Sequence, residues 1–305
     1  MEFGFIGVGA MGGPLARNLI RAGKTVHVYN RSAAGRDATL AAGTSGLAAT
    51  SMAHMAPCKV VFTCLALPQH LTEKALGQDG LYAHMQPGAV HVELSTIDSQ
   101  TAFALAEAAG KQGVAYVQCT LGKTPAHAER GEAPLFVGGD QQAIAALADV
   151  WPILGVFNNV GTVEAACAVK LVSNLVGMAN LAVLSEGLRI GEAAGVDKNL
   201  LLHLLAETGA HSFQLDARGK NMAEGEYDPP RFALDLALKD MRLGCGMARA
   251  MNVNVPLLDT VFARFGRGSA AGLGKRTARR CTKYRGIAEQ DIVAKNDKTP
   301  AKRAD

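Results

Sequence analysis

Gly7, Gly9 and Gly12 stand in the spacing Gly-x-Gly-x-x-Gly, directly after a short apolar run that begins at Phe3. Each glycine has its own task in a strand–turn–helix that faces a pyrophosphate. The first permits a tight turn, the second lets the backbone approach the phosphates, and the third lets helix and strand pack closely. Ala10 and Met11 lie at the mouth of the helix that follows, where N–H groups point at an anion. A second apolar run, Thr25 to Tyr29, ends at Asn30-Arg31-Ser32, the position from which a dinucleotide's adenosine ribose is read. A carboxylate there would accept from the ribose 2′-hydroxyl and repel a 2′-phosphate, whereas Arg31 with Asn30 and Ser32 suits the phosphate. The pattern predicts NADP(H) as the preferred cofactor and NAD(H) as the second choice. An exposed turn arginine is the plainer alternative for Arg31.

Other residues of chemical interest carry two readings each. Lys170 and Asn174 are four apart and share one helix face in a segment rich in Ala, Val and Leu. A lysine so placed can also snorkel without any chemical task, and the residues alone leave both readings open. Ser95 and Thr96 follow an apolar run and precede a helical one, which suits a helix N-cap. Lys239 stands four residues after Asp235, which suits an ion pair on its own helix. In Gly122-Lys123-Thr124-Pro125, Thr124 reads as an N-cap and Pro125 as the first helical residue. Lys123 then adds a cation beside helix-terminal amides, an anion site, or else it is an exposed loop lysine.

These positions need a scaffold, and the first 160 residues alternate β-like and helix-like runs. Residues 3–6, 25–29, 60–65, 90–94, 115–118 and 135–137 read as strands, with helical stretches such as 14–22 and 101–111 between them. That alternation predicts an α/β fold, a parallel sheet with helices on both faces. After Gly161 the pattern changes: residues 162–194 contain no proline and keep helical spacing, which predicts one long helix linking two domains. Residues 200–208, 234–251 and 256–264 read as helices, and Pro229-Pro230 and 266–274 as loops. The expected division is a Rossmann domain at 1–161, an all-helical domain at 162–288 and a frayed tail at 289–305.

Composition bounds the class. With 305 residues, 49% hydrophobic and 19% charged, the chain can bury two cores and is not of the disordered type. Runs such as 4–8 and 60–67 are too short to cross a bilayer, and strand-like sequence from Glu2 argues against a signal peptide. Cys58, Cys64, Cys119, Cys167, Cys245 and Cys281 show no close pair at metal-ligand spacing, so buried thiols, a cytoplasmic location and no metal are expected. The positive net charge has one source. Arg267, Lys275, Arg276, Arg279, Arg280, Lys283 and Arg285 form a segment with no acidic residue, and the chain before it is net acidic. A nucleic-acid partner would want a basic face supported by aromatics or a known motif, so a solvated basic helix is the preferred reading.

Taken in order, Gly4-Phe5-Ile6-Gly7-Val8-Gly9-Ala10-Met11-Gly12, Leu94-Ser95-Thr96-Ile97, Lys170-Leu171-Val172-Ser173-Asn174 and the stretch from Phe232 to Lys239-Asp240 resemble the β-hydroxyacid dehydrogenases. That is the family of 3-hydroxyisobutyrate dehydrogenase and tartronate semialdehyde reductase, relatives of 6-phosphogluconate dehydrogenase. The resemblance runs from Gly4 to about residue 285. It implies an N-terminal Rossmann domain, an all-α C-terminal domain built on a long inter-domain helix, and a homodimer or homotetramer. It further implies that Lys170 is the catalytic lysine, protonating the alkoxide that develops as hydride reaches a carbonyl carbon. Asn174 and Ser95 then contact substrate, Thr96 and Lys239 lie at the nicotinamide end, and Leu67-Pro68 lies beside the ribose.

The chain departs from that family in three places. The usual Asp-Ala-Pro-Val-Ser-Gly-Gly substrate loop is replaced by Gln118-Cys119-Thr120-Leu121-Gly122-Lys123-Thr124, which is similar to the loop of sulfolactaldehyde reductases with lysine for arginine. The exchange loses a bidentate fork. The glycine-rich lead-in to the catalytic helix survives only as Gly161, and a C-terminal Gly-x-Gly-x-x-Asp becomes Gly272-Leu273-Gly274-Lys275-Arg276-Thr277. The expected activity is NADPH-dependent reduction of a small anionic aldehyde to a β-hydroxy acid. The alternatives are a sulfolactaldehyde-type reductase, an imine reductase, which Lys170 argues against, and a non-catalytic NADP-binding interaction protein.

Overall fold

Phe3 to Ile6, all of β1 (Glu2–Ile6) after its first residue, are buried without a break, the mark of a strand covered on both faces. The chain continues through α1 (Gly12–Arg21), β2 (Thr25–Tyr29), α2 (Ala33–Leu40), β3 (Gly46–Ala49), β4 (Val60–Thr63) and α3 (Pro68–Leu76). Then come β5 (Val90–Glu93), α4 (Ser99–Lys111), β6 (Ala115–Leu121), α5 (Pro125–Glu129) and β7 (Pro134–Gly139). The sheet is completed after α6 (Gln141–Ala146) and α7 (Trp151–Leu154) by β8 (Val156–Gly161). This computed structural model describes residues 1–225 and 232–275.

All eight strands form one sheet in the order β3-β2-β1-β4-β5-β6-β7-β8. Pairings from β3 through β6 are parallel, so the carboxyl ends of β1, β2, β4, β5 and β6 share one edge. The strand order reverses between β1 and β4, and a crevice for a ligand opens at such a switch point. The expected α/β architecture is therefore present, with two corrections. β6 and β7 are antiparallel, because the five-residue α5 between them is too short to cross a sheet face. β3 and β8 are additional strands at the two sheet edges; β8 is exposed along nearly its whole length and carries Asn158 and Asn159, so neither alternation nor apolar content marks it.

The chain divides into two compact units at Ser173/Asn174, inside α8 (Val163–Ala193); the 161/162 junction is where β8 gives way to that helix. Thirty-one residues of α-helix span about 46 Å, in agreement with the long helix expected. By length and composition α8 could cross a membrane, which no single short apolar run suggested. Ala166, Cys167 and Leu171 are buried in the first unit, and Leu175, Met178, Leu181 and Leu188 in the second.

The second unit continues with α9 (Lys198–Ala206), α10 (Phe213–Glu224), α11 (Leu234–Ala250) and α12 (Pro256–Gly268). Its core gathers Leu175, Met178, Leu234, Met241 and Phe265. Gly244 lets α11 lie close to α8, since a Cβ there would fall 2.6 Å from Leu175. α10 escapes a periodicity search because it is polar, although Ser212 caps its start and Gly225 (φ 74°) ends it. The loop expected at 266–274 is instead helical: α12 runs to Gly268 and continues as a wide turn, Ser269–Leu273, broken where Gly272 takes φ 80°. That turn is tied down by Ser269 Oγ on Asp235 Oδ1 (2.6 Å) and by Asp235 N–H on the Gly274 carbonyl (3.0 Å). Pro229-Pro230, Cys281, the basic residues from Arg276 to Arg285 and the tail at 289–305 lie outside the described residues.

Candidate active site

The turn after β1 is shaped by contacts that only glycine allows. Gly7 has φ 93°, and a Cβ on it would sit 2.4 Å from the Cys64 carbonyl oxygen. A Cβ on Gly12 would sit 2.1 Å from the Gly7 carbonyl oxygen. Gly9 differs: it is exposed, and no protein atom lies within 4 Å of where its Cβ would be. Met11 offers α1 no side-chain cap; Gly13 N–H donates to the Gly9 carbonyl (2.9 Å), and the N–H groups just before it, at the mouth of the helix, face the side where an anion would sit. The bare backbone at Gly9, with exposed Ala10 beside it, fits a dinucleotide's phosphates.

Gly7 N–H donates to the Tyr29 carbonyl (2.9 Å) and Val8 N–H to Asn30 Oδ1 (3.2 Å). Asn30 Nδ2 in turn donates to the Ser32 carbonyl (3.0 Å), and Ser32 Oγ caps α2 by accepting from Gly35 N–H (3.4 Å). Of the three residues expected at the adenosine end, Asn30 and Ser32 hold the loop's shape and Arg31 is exposed. Leu67 and Pro68 stand at the N-cap and first position of α3.

Ser95 and Thr96 do not cap α4, which corrects the N-cap expectation. Asp98 takes that role, accepting from Thr101 N–H at 2.8 Å, because α4 starts only at Ser99, beyond the reach of a cap at Ser95 or Thr96. Ser95 is buried, its Oγ accepts from Leu65 N–H (2.8 Å), and its own N–H donates to Glu93 Oε1. It therefore joins the ends of β4 and β5. Glu93 is a functional candidate that the motif reading missed. The signal was available: His91 and Glu93 alternate on one face of a strand where a buried parallel sheet should show only apolar side chains.

Gly122 is pressed on Pro134, where a Cβ would meet the ring at 2.6 Å, and Lys123 next to it takes φ 60° and is exposed. Thr124 precedes Pro125 as expected, yet its side chain makes no cap; Oγ1 bonds His127 Nδ1 at 2.8 Å instead. With only five residues in α5, the cation of Lys123 rather than a helix terminus carries the positive character here. The rear of this loop is clamped to the cofactor helix. Glu129 takes Arg17 through Nε (3.1 Å) and Nη2 and Arg21 through Nη1 (2.7 Å), and Asn18 Nδ2 donates to the Ala128 carbonyl (2.9 Å). The Arg17 guanidinium, with Arg21, holds the Glu129 carboxyl down at about 2.

The height of Lys170 follows from the path of α8. The helix begins beside Gly139 at its Val163, and three residues later the Ala166 carbonyl accepts from Thr120 Oγ1 (3.0 Å) near the carboxyl end of β6. Lys170 comes one turn, about 6 Å, further on, level with the loop that follows β6, and it is half-buried. Cys167, three residues before it, is buried among Ile97 and Tyr116. The cofactor turn, the Ser95 loop, the Lys123 loop and Lys170 thus all belong to the carboxyl edge of the first unit's sheet.

In the second unit, Asn174 Nδ2 donates to Asp240 Oδ2 (2.6 Å), and Lys239 Nζ lies 2.8 Å from Asp240 Oδ1 as a charge contact without hydrogen-bond alignment. Lys239 is only 8% exposed and Asp240 4%. The ion pair of Lys239 is thus with Asp240, while Asp235 engages Ser269. Asp240, absent from the expected site, orients Asn174.

Residues 2–165 match the family described as the NAD binding domain of 6-phosphogluconate dehydrogenase, and residues 165–284 that described as NAD-binding of NADP-dependent 3-hydroxyisobutyrate dehydrogenase. The chain is 28% identical over 277 residues to 2-(hydroxymethyl)glutarate dehydrogenase of Eubacterium barkeri, covering 90% of this chain and 91% of that one. It is 27% identical over 258 residues to glyoxylate/succinic semialdehyde reductase 2 of Arabidopsis thaliana, covering 84% and 72%. Similarity also extends to the cytokine-like nuclear factor N-PAC of Homo sapiens, at 27% identity over 84% of this chain and 46% of that protein. Among solved structures, a 3-hydroxyisobutyrate dehydrogenase from Salmonella typhimurium superposes with a TM-score of 0.85 over 93% of this chain and 99% of that one, at 24% identity. With its Rossmann unit, its helical unit and these matches end to end, the chain belongs to the β-hydroxyacid dehydrogenase family, an oxidoreductase that acts on CH–OH groups with a nicotinamide cofactor.

Proposed function

We propose that the protein reduces a small anionic aldehyde to a β-hydroxy acid, reversibly, with NADP(H) preferred over NAD(H). The observation that carries the reading is the position of Lys170, one turn beyond the helix carbonyl that Thr120 holds. Bound nicotinamide supplies or accepts the hydride. Lys170 Nζ holds the proton for the oxygen that becomes the alcohol and stabilises its developing charge. Asn174, one turn along the same helix and oriented by Asp240, orients the substrate. Gly122, Lys123 and Thr124 meet the carboxylate or sulfonate, with the lysine as a point charge. Ser95, Thr96, Leu67, Pro68 and Lys239 border the cofactor or substrate.

The test is NADPH oxidation with succinate, tartronate and methylmalonate semialdehydes, glyoxylate and sulfolactaldehyde. Turnover of at least one is expected, and a preference for sulfolactaldehyde would assign the Lys123 loop to a sulfonate. Binding of NADPH with no turnover of any of them overturns the reading in favour of a non-catalytic binding protein. Imine reduction is the lesser alternative, because Lys170 stands where such enzymes need no proton donor of this kind.

Cofactor preference rests on Arg31. Arg31→Ala is expected to raise the NADPH Kd about 10- to 100-fold, the effect of one charge-assisted contact of about 1.5–3 kcal/mol, and to leave the NADH Kd nearly unchanged. An equal change for both cofactors, measured by fluorescence titration, would place the 2′-phosphate elsewhere. A homodimer or homotetramer is proposed from α8, where Val176, Val183 and Ile190, seven apart, are 52%, 68% and 70% exposed. Light scattering that gives the monomer mass would overturn it.

A further inference from the structure

Behind the Ser95 loop the sheet contains a polar network with no access to solvent. His91, Glu93, Thr63 and Gln118 are at most 1% exposed. Burial lowers the His91 pKa to about 3, so its ring is neutral and offers one donor and one acceptor. Only one arrangement then satisfies a Glu93 carboxylate. Tyr82 O–H donates to His91 Nδ1 (2.7 Å), His91 Nε2–H to Thr63 Oγ1 (2.7 Å), and Thr63 O–H to Glu93 Oε2. Glu93 Oε1 receives the Ser95 N–H. Ser95 Oγ accepts from Leu65 N–H (2.8 Å), while Gln118 Nε2 reaches the carbonyls of Glu93 (3.0 Å) and Ser95 (3.3 Å) from β6. A single carboxylate thus gathers the ends of β4 and β5.

We propose that Glu93 is the positioning residue of this edge: as a carboxylate it fixes Ser95, and through Ser95 the Leu65 amide, so that the two loops bordering the cofactor stand in one geometry. The proposal rests on the reading above that Leu67-Pro68 and Ser95-Thr96 border the cofactor or substrate. Protonation of Glu93 at Oε2 reverses the Thr63–His91–Tyr82 chain, and protonation at Oε1 breaks the bond to Ser95 N–H. Either change loosens the edge. Burial raises the Glu93 pKa to about 7 against the lowering bonds from Ser95 and Thr63. The titratable groups that face it are His91, Tyr82, Tyr116, Cys119 and Cys167. Burial holds His91 neutral by lowering its pKa and the other four by raising theirs. Among the described residues of this network, Glu93 alone changes charge near neutrality.

The experiment compares the wild type with Glu93→Gln, a permanent mimic of the protonated acid, from pH 5.5 to 8.5. Cofactor Kd is read by fluorescence, and KM and kcat are read separately. Because a phosphomonoester itself titrates near about pH 6, the series is repeated with NADH, which lacks the 2′-phosphate. In the wild type, cofactor affinity is expected to rise about five- to tenfold as pH passes through 7; in Glu93→Gln it should stay flat at the low-pH level. The kcat at saturating cofactor should change less than twofold. A variant that keeps the wild-type step, or that binds NADH as the wild type does at pH 8, overturns the proposal. Thr63→Val is the second variant. It removes one bond to the carboxylate and should move the wild-type step to higher pH; an unmoved step also counts against Glu93. Loss of turnover in the aldehyde panel would sink the proposed function, whereas these binding readouts test Glu93 by themselves.

Discussion

Replacing Lys170 with alanine is expected to lower kcat at least about 10³-fold while the NADPH Kd changes less than twofold. General acid catalysis contributes about 10²–10⁴-fold, and stabilisation of a developing alkoxide by a fixed cation adds to it. Both losses fall on the transition state, so kcat and kcat/KM should fall together. Cofactor binding is spared because the phosphate turn at Gly7 to Gly12 and the Asn30-Arg31-Ser32 loop lie on other elements of the sheet edge. Lys170→Arg separates the two contributions: it keeps a cation on the helix but cannot give up its proton near neutral pH, so it should recover little activity. Pre-steady-state mixing with NADPH and the best aldehyde of the panel measures the step directly. An alanine variant that retains kcat within about tenfold would remove Lys170 from the chemistry.

Gly12→Ala should cost both fold and function. The added Cβ would stand 2.1 Å from the Gly7 carbonyl oxygen and 3.0 Å from both Cys64 Cβ and Phe5. The first of these is backbone and cannot rotate away, so α1 must separate from β1 and open the turn. Overpacking of this kind costs about 2–4 kcal/mol, which for a protein of this size is a Tm lower by roughly 5–15 °C. The N–H groups of the first turn move with the helix, and NADPH affinity should fall more than about 100-fold. Gly9→Ala is the informative companion. No protein atom crowds that position, so the variant should melt like the wild type and still lose cofactor affinity, because the methyl occupies the ligand's approach. Calorimetry with cofactor titration checks both. Equal melting of the two variants would mean that the Gly12 contact does not hold helix to strand.

The glycine turn and α8 were legible in the sequence because each rests on a local rule. Gly7 needs φ 93° and Gly12 needs a missing Cβ within one strand–turn–helix, and the helical spacing of α8 is a property of adjacent turns. β3 and β8 were not legible, since their pairing comes from partners elsewhere in the sheet. Ser95 was misread for a related reason. A serine between strand and helix satisfies the local rule for a cap, yet Asp98 supplies the cap and Leu65, thirty residues away, claims the hydroxyl.

By itself, then, the sequence determined the α/β class, the cofactor turn with its exposed Arg31, the long helix and the place of Lys170 and Asn174 upon it. All of these follow from backbone geometry within a few residues or from 3.6-residue periodicity. Only the tertiary structure decided that Lys239 and Asn174 meet on Asp240, that Glu129 binds the substrate loop's short helix to the cofactor helix, and that Glu93 gathers Ser95 and Thr63. Side-chain polar groups buried in a sheet or between helices must find partners wherever packing brings them. Those partners lie on other strands and helices, at separations that no local pattern encodes.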